Sequence, residues 1–312
     1  MITTESISNP VLVGLGVIFG ILILASIVTK WMAVKQLDKD HTELCQRVRS
    51  WWVIVVLFAI AVILQRAYSL VFFGFVSFLA LKEFFSVIPT RRADRRVLFW
   101  AYLAIPIQYY WVSLEWYGMF IIWIPVFMFL FLPMRMVLIG KTDGFLRSVG
   151  TIHWGLMTTV FSISHLAYLL IEDIRETPAQ GAGLLLFIVA LTQFNDVAQY
   201  LWGKSIGRHK VVPMVSPNKT VEGLAGGVLT TATISYFVAP YLTPLAGLEA
   251  IGVGAGIGLV GFMGDVVISA IKRDLGIKDT GSILPGHGGI LDRIDSLMFT
   301  APLFFHYLRY YY

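Results

Sequence analysis

Charge is scarce in this sequence, and cysteine nearly absent. Only 14% of the 312 residues are Asp, Glu, Lys or Arg, where a soluble domain carries roughly 25%. The 57% that are hydrophobic fall in long runs, without the polar faces that a water-soluble core would interleave. A soluble globular class is therefore excluded. Cys45 is the lone cysteine, so neither an internal disulfide nor a Cys-based metal site can be built. Residues 1–10 contain no basic side chain, and the apolar run behind them is long enough to stay as a span. No cleavable secretory signal is expected. The apolar runs also lack period-two alternation, which leaves helices and excludes a barrel.

What is present is a series of apolar segments. A membrane span needs about 20 such residues. Ten candidates lie at about 11–29, 51–65, 67–88, 97–113, 117–139, 150–171, 182–203, 221–241, 248–270 and 296–310. The reading is an all-α, polytopic transmembrane bundle of about eight to ten spans. The first part, 1–180, supplies helices that could shape a lipid-acceptor pocket. The second, 181–312, carries the polar loops. Twenty of the 24 Lys and Arg follow odd-numbered spans, while the opposite side holds only Arg66, Arg175 and Arg309, and Lys82 falls inside a span. Basic residues collect on the cytoplasmic side, so the N-terminus is expected outside. That charge pattern also answers for the net charge of +5 without a nucleic-acid partner.

Two odd-numbered loops, 203–222 and 271–296, are dense in Gly, Pro, Lys, Arg, Asp and His, beyond what a connector needs. The second holds Lys272, Arg273, Lys278 and Arg293, with His287, Asp292 and Asp295. Lys and Arg beside glycine-flanked backbone suit phosphate, and carboxylates suit a divalent cation that bridges phosphates. The combination points to phosphoryl or nucleotidyl transfer involving a polyphosphate.

The stretch 269–295 also resembles the C-terminal signature of the phosphatidate cytidylyltransferase (CDP-diacylglycerol synthase) family. Its fixed positions are filled by Ser269, Lys272, Arg273, Lys278, Asp279, Pro285, His287, Gly288, Gly289, Asp292, Arg293 and Asp295. The likeness continues upstream through 216–223 and Asn195-Asp196, covering roughly residues 190–296. It implies transfer of CMP from CTP to phosphatidate, giving CDP-diacylglycerol and pyrophosphate. It further implies Mg²⁺, with a second cation left open, held by Asp265 and Asp292, with Asp295 a weaker ligand. Lys272, Arg273, Lys278 and Arg293 would neutralise the triphosphate and the lipid phosphate. Ser216 and Lys219 would line the same site, and His287 could hydrogen-bond or protonate pyrophosphate. Membrane lipids surround such an enzyme, a homodimer is implied, and the expected location is a bacterial-type inner membrane with the site facing the cytoplasm.

Simpler readings compete with several of these. Asn195 and Asp196 suit either a polar cavity or a hydrogen bond between packed helices. Lys82 reads as a snorkelling lysine and, with its neighbour Glu83, is left outside the site. Gly256, Gly258 and Gly261 satisfy a dinucleotide-binding spacing, yet no strand precedes them; close helix packing is expected instead. Two other functions stay open. One is activation of a different lipid phosphate by CTP. The other is transport, which intramembrane Asp and glycine-broken helices also suit, although no internal repeat is visible.

Overall fold

The computed structural model describes residues 8–35, 42–64, 66–172, 177–281 and 288–312. Among them the chain is helical, and the only strand-like pairing is an isolated bridge between Lys210 and Thr220. The first group of helices is α1 (Asn9–Lys35), α2 (Thr42–Ile63), α3 (Arg66–Val87) and α4 (Arg95–Ser113). A continuous helix follows, α5 (Tyr117–Ile122) and α6 (Phe129–Val137), joined through a π turn at Trp123–Met128. Another π turn at Met157–Phe161 joins α7 (Phe145–Leu156) to α8 (Ser162–Leu169). The C-terminal part comprises α9 (Gln180–Ile206), α10 (Val221–Leu242), α11 (Gly247–Asp274), the short α12 (Leu291–Ile294) and α13 (Leu297–Tyr311).

All ten apolar segments fall on helices. Seven are long and apolar enough to cross a membrane: α1, α2, α3, α5–α6, α9, α10 and α11. The remaining three are α4, α7–α8 and the 15-residue α13. The protein is a multi-pass membrane protein. Its outward apolar residues, such as Leu24, Val71 and Leu229, have lipid tails as their natural solvent.

The C-terminal helices approach closely because glycines remove the side chains between them. A Cβ on Gly227 would overlap Gln199 of α9, and one on Gly254 would overlap Ser235 of α10. A Cβ on Gly258 would stand 3.1 Å from Val228, a tight fit, whereas Gly252 and Gly256 have open space around them. The glycine-spaced segment of α11 is thus a packing stripe. Elsewhere a buried polar chain ties the halves together. His165 Nδ1 lies 2.8 Å from the Phe161 carbonyl, which can only accept, so Nδ1 carries the proton. His165 Nε2 then accepts from His306 Nε2 at 3.2 Å, and His306 Nδ1 accepts from the Tyr117 hydroxyl at 3.4 Å. This chain links α5, α8 and α13 in a region where an unpaired polar group would be expensive.

Candidate active site

The loop between α9 and α10 is folded back on itself by its own backbone. Val211 N donates to the Lys219 carbonyl at 3.1 Å and Val221 N to the His209 carbonyl at 2.8 Å. Thr220 caps α10, its hydroxyl accepting from Gly223 N at 3.1 Å. Glu222 in the first turn accepts from Arg208 N at 3.0 Å and from His209 Nδ1 at 2.6 Å, the place where a carboxylate suits the helix dipole. The arc carries Lys219 to α11, where its ammonium pairs with Asp265 and stands 5.5 Å from the Phe262 ring. Both side chains of the pair are about three-quarters shielded from solvent. Arg273 Nε donates to the Val215 carbonyl at 3.1 Å, so the two polar loops predicted from composition meet at one end of α11. Ser216 is half-buried in the same arc.

Asp292 is the anchor of the second loop. Lys272 Nζ meets its Oδ1 at 2.7 Å. Its Oδ2 accepts from Thr280 N and Gly289 N, each at 3.0 Å, and the Thr280 hydroxyl oxygen lies at the same distance. Burial pushes the carboxyl's pKa upward, but the Lys272 ammonium and the two backbone N–H groups outweigh it and hold the group below its ordinary value.

A second carboxylate, missed at the level of sequence, sits against the first. Glu83 of α3 is 4% exposed. It accepts from Ile290 N at 2.8 Å and Leu291 N at 3.0 Å, and from the Thr280 hydroxyl. Thr280 Oγ therefore stands between Glu83 and Asp292, at the seam of the two carboxylates. The signal was available, since a carboxylate near the end of an apolar span is costly and demands a partner. Its neighbour Lys82 is exposed, in keeping with the snorkelling reading, and had drawn Glu83 into the same explanation.

Gly288 and Gly289 fit this seam for different reasons. Gly288 has φ +77°, and a Cβ there would come within 2.7 Å of Asp292 Oδ2. A Cβ on Gly289 would overlap both Glu83 and the Thr280 hydroxyl. Gly289→Ala is expected to separate α3 from the loop and lower Tm by several degrees, readable by thermal unfolding in detergent.

Three further carboxylates face one another beside this anchor. Asp295 Oδ1 accepts from Ser296 N at 2.8 Å, and the Ser296 hydroxyl donates to Asp196 Oδ1 at 3.0 Å. Asp265 accepts from the Ser269 hydroxyl at 3.3 Å as well as from Lys219. Burial first, then the nearby Asp265 and Asp196 carboxylates, push the Asp295 carboxyl well above its ordinary range. Lys219 and Arg293 lie within electrostatic reach of Asp196. Arg293 keeps a buried, unpartnered Nε. Lys278 is exposed, and His287 lies outside the described residues. Asn195 turns the other way: it is fully buried, donates to the Gly258 carbonyl at 3.3 Å and accepts from Thr231 at 3.1 Å. The packing reading holds for Asn195, while Asp196 faces the acidic cluster.

The donor set is all carboxylate oxygen, the chemistry that suits a hard divalent cation. As the side chains stand, no three His, Cys, Asp or Glu among the described residues are gathered closely enough to hold a metal ion. Asp292 and Asp265 each have both oxygens in contact with protein donors, and Asp295 and Asp196 each have one; every one of these carboxylates keeps acceptor capacity.

Residues 45–311 match the model of a cytidylyltransferase family. The chain is 48% identical over 297 residues to YnbB of Escherichia coli (strain K12), a protein described as uncharacterized; the match covers 95% of this chain and 97% of that one. It is also 40% identical over 156 residues to phosphatidate cytidylyltransferase of Staphylococcus aureus (strain COL), and 37% identical over 153 residues to that of Staphylococcus saprophyticus. Each of these two matches covers 48% of this chain and 59% of the relative.

Proposed function

The chain belongs to the cytidylyltransferase family, and from that premise we propose that it transfers CMP from CTP to phosphatidate, releasing pyrophosphate. A phosphate-monoester oxygen of the lipid forms the new bond to the α-phosphorus of CTP as the bond to the β-phosphate oxygen breaks. Two anions must approach, and pyrophosphate gains charge as it leaves. Lys219, Lys272, Arg273, Lys278 and Arg293 offset the repulsion and that developing charge. A phosphate monoester is already an adequate nucleophile, so no covalent enzyme intermediate is needed.

Asp265 and Asp295, with Asp196 beside them, are the residues that would hold Mg²⁺. When bound, the cation supplies Lewis-acid polarisation of the phosphate oxygens. Asp292, the ligand its motif implies, would join them, and it also keeps Lys272 and the last loop in place. The observation that carries the reading is the convergence of Lys219–Asp265 and Lys272–Asp292 from two loops onto one end of α11. The basic residues cluster on this same set of loops, which supports an orientation facing the cytoplasm of a bacterial inner membrane.

Detergent-purified protein given CTP, Mg²⁺ and phosphatidate is expected to release pyrophosphate only when all three are present. Chelation with EDTA should abolish the release, and added Mg²⁺ should restore it. A silent, folded protein would overturn the phosphatidate assignment. A second acceptor, another lipid phosphate, is favoured by one observation. The staphylococcal matches cover under half of the chain, whereas the match to YnbB runs nearly end to end. The same assay over a panel of lipid phosphates separates the two.

A further inference from the structure

On the far side of α11 from the carboxylates lies a trough of about 590 Å³ between α3, α7 and α11. Its walls include Phe84, Ile88, Trp154 and Ile271. Gly150 forms part of its lining and has no atom within 4 Å of where a Cβ would stand, so the trough is open at that point. A second cavity of about 400 Å³ shares Pro89, Arg147 and Thr151 with it. Its border includes Thr90, Asp143 and Ser148. The slot thus runs into a basin with polar side chains at its border, and Arg147 stands at the junction.

Neither cavity opens on the reacting groups. At about 100° per residue, Asp265, Ser269 and Lys272 share one face of α11, whereas Val267, Ala270 and Asp274 lie roughly opposite. The charges at the basin are mixed. Arg91, which also borders the basin, is engaged by Asp94 at 2.6 and 2.9 Å and lies within electrostatic reach of Asp143. The exposed Arg147 makes no ion pair seen among the described residues, and Asp143 and Asp274 supply carboxylates. Arg147 and Asp274 lining one cavity match a headgroup with a phosphate and an ammonium, better than a purely anionic one.

We propose that this trough binds an intact zwitterionic phospholipid with a primary ammonium, of the phosphatidylethanolamine class, as a regulatory ligand that is not consumed. One acyl chain fills the slot, the phosphate meets Arg147, and the ammonium donates to Asp274, which lines the same cavity. The occupant wedges between α3 and α11. Phe84 adjoins Glu83, and Ile271 adjoins Lys272, so the lipid supports the two helices that carry the loop's anchors. This inference goes beyond the transfer reaction, and its primary readout does not depend on it.

The full-length protein, delipidated in detergent, would be titrated with phosphatidylethanolamine, phosphatidylcholine and phosphatidylglycerol of identical acyl chains. Retention would be read by native mass spectrometry. The ethanolamine lipid is expected to be held at least about tenfold better than the other two, an increment of about 1.4 kcal/mol. Gly150→Trp, which fills the slot, and Arg147→Gln, at an exposed position, should each remove that retention. Asp274→Asn should erase the preference over the choline lipid. In the pyrophosphate assay, the ethanolamine lipid should raise the rate of wild type but not of Gly150→Trp, whose basal rate stays unchanged. Equal retention of all three lipids, a preference for the glycerol lipid, or unaltered retention in both Gly150→Trp and Arg147→Gln would overturn the proposal. So would displacement of the bound lipid by phosphatidate, which would make the trough an acceptor seat. Were the cytidylyl reaction itself to fail, the binding result would still stand or fall alone.

Discussion

Replacing Glu83 by glutamine is expected to lower kcat for pyrophosphate release by about 10²-fold, with a small change in KM for CTP. The carboxylate accepts from Ile290 N, Leu291 N and the Thr280 hydroxyl. An amide has one oxygen and a pair of N–H donors where two accepting oxygens stood, so at least one backbone N–H loses its partner. A buried unsatisfied donor costs about 1–3 kcal/mol, enough to release the start of α12 and, with it, Asp292 and Asp295. Glu83 touches no reacting atom in this scheme; it is a positioning residue. The distinguishing readout is therefore the split between kcat and KM, together with rescue. Glu83→Ala should be worse than Glu83→Gln, because the amide keeps one acceptor. Equal, full activity in both variants would show that the loop holds its shape without α3.

Asp265→Asn is expected to be the more severe lesion, lowering kcat by about 10³-fold or more while the protein still inserts and folds. Asp265 pairs with Lys219 and faces Asp295. The amide keeps the shape and the Ser269 contact but removes the charge that would hold a cation. It also leaves Lys219 without its counter-ion. The double variant with Lys219→Met separates these effects. If Asp265 acts only by fixing Lys219, the double variant should be no worse than Lys219→Met alone. If Asp265 holds the cation, the loss on Asp265→Asn should appear on either background, and raised Mg²⁺ should partly offset it. Activity within twofold of wild type in Asp265→Asn would remove Asp265 from the site.

The contrast between Lys82 and Glu83 shows where reading along the chain runs out. The two residues are adjacent in one apolar run, and the sequence sets Glu83 apart only by the cost of a carboxylate there, without naming its partner. A rotation of about 100° per residue turns Lys82 to the surface and Glu83 against a loop more than two hundred positions away. Asp292 makes the same point from within a motif. Its place in the pattern implies a metal ligand, and only the structure adds that its oxygens also meet Lys272, Thr280 and Gly289. A motif records that a carboxylate is needed, and says nothing of how many of its lone pairs are already engaged. Asn195 and Asp196 divide likewise, one toward Gly258 and Thr231, the other toward Ser296.

By itself the sequence determined that the chain is a helical membrane bundle, and it pointed to two polar loops, which hold Lys219, Lys272 and Asp292, with Asp265 near the end of the span beside them. Those conclusions rest on local quantities: run length, charge density, and the spacing of residue types along a few turns. Only the tertiary structure decided which carboxylates anchor the loop, which face one another, and that α3 reaches into the site from the other half of the chain. The physical reason is that burial and hydrogen-bond partnership in this bundle are set between helices distant in sequence, where side-chain direction counts and neighbourhood along the chain does not.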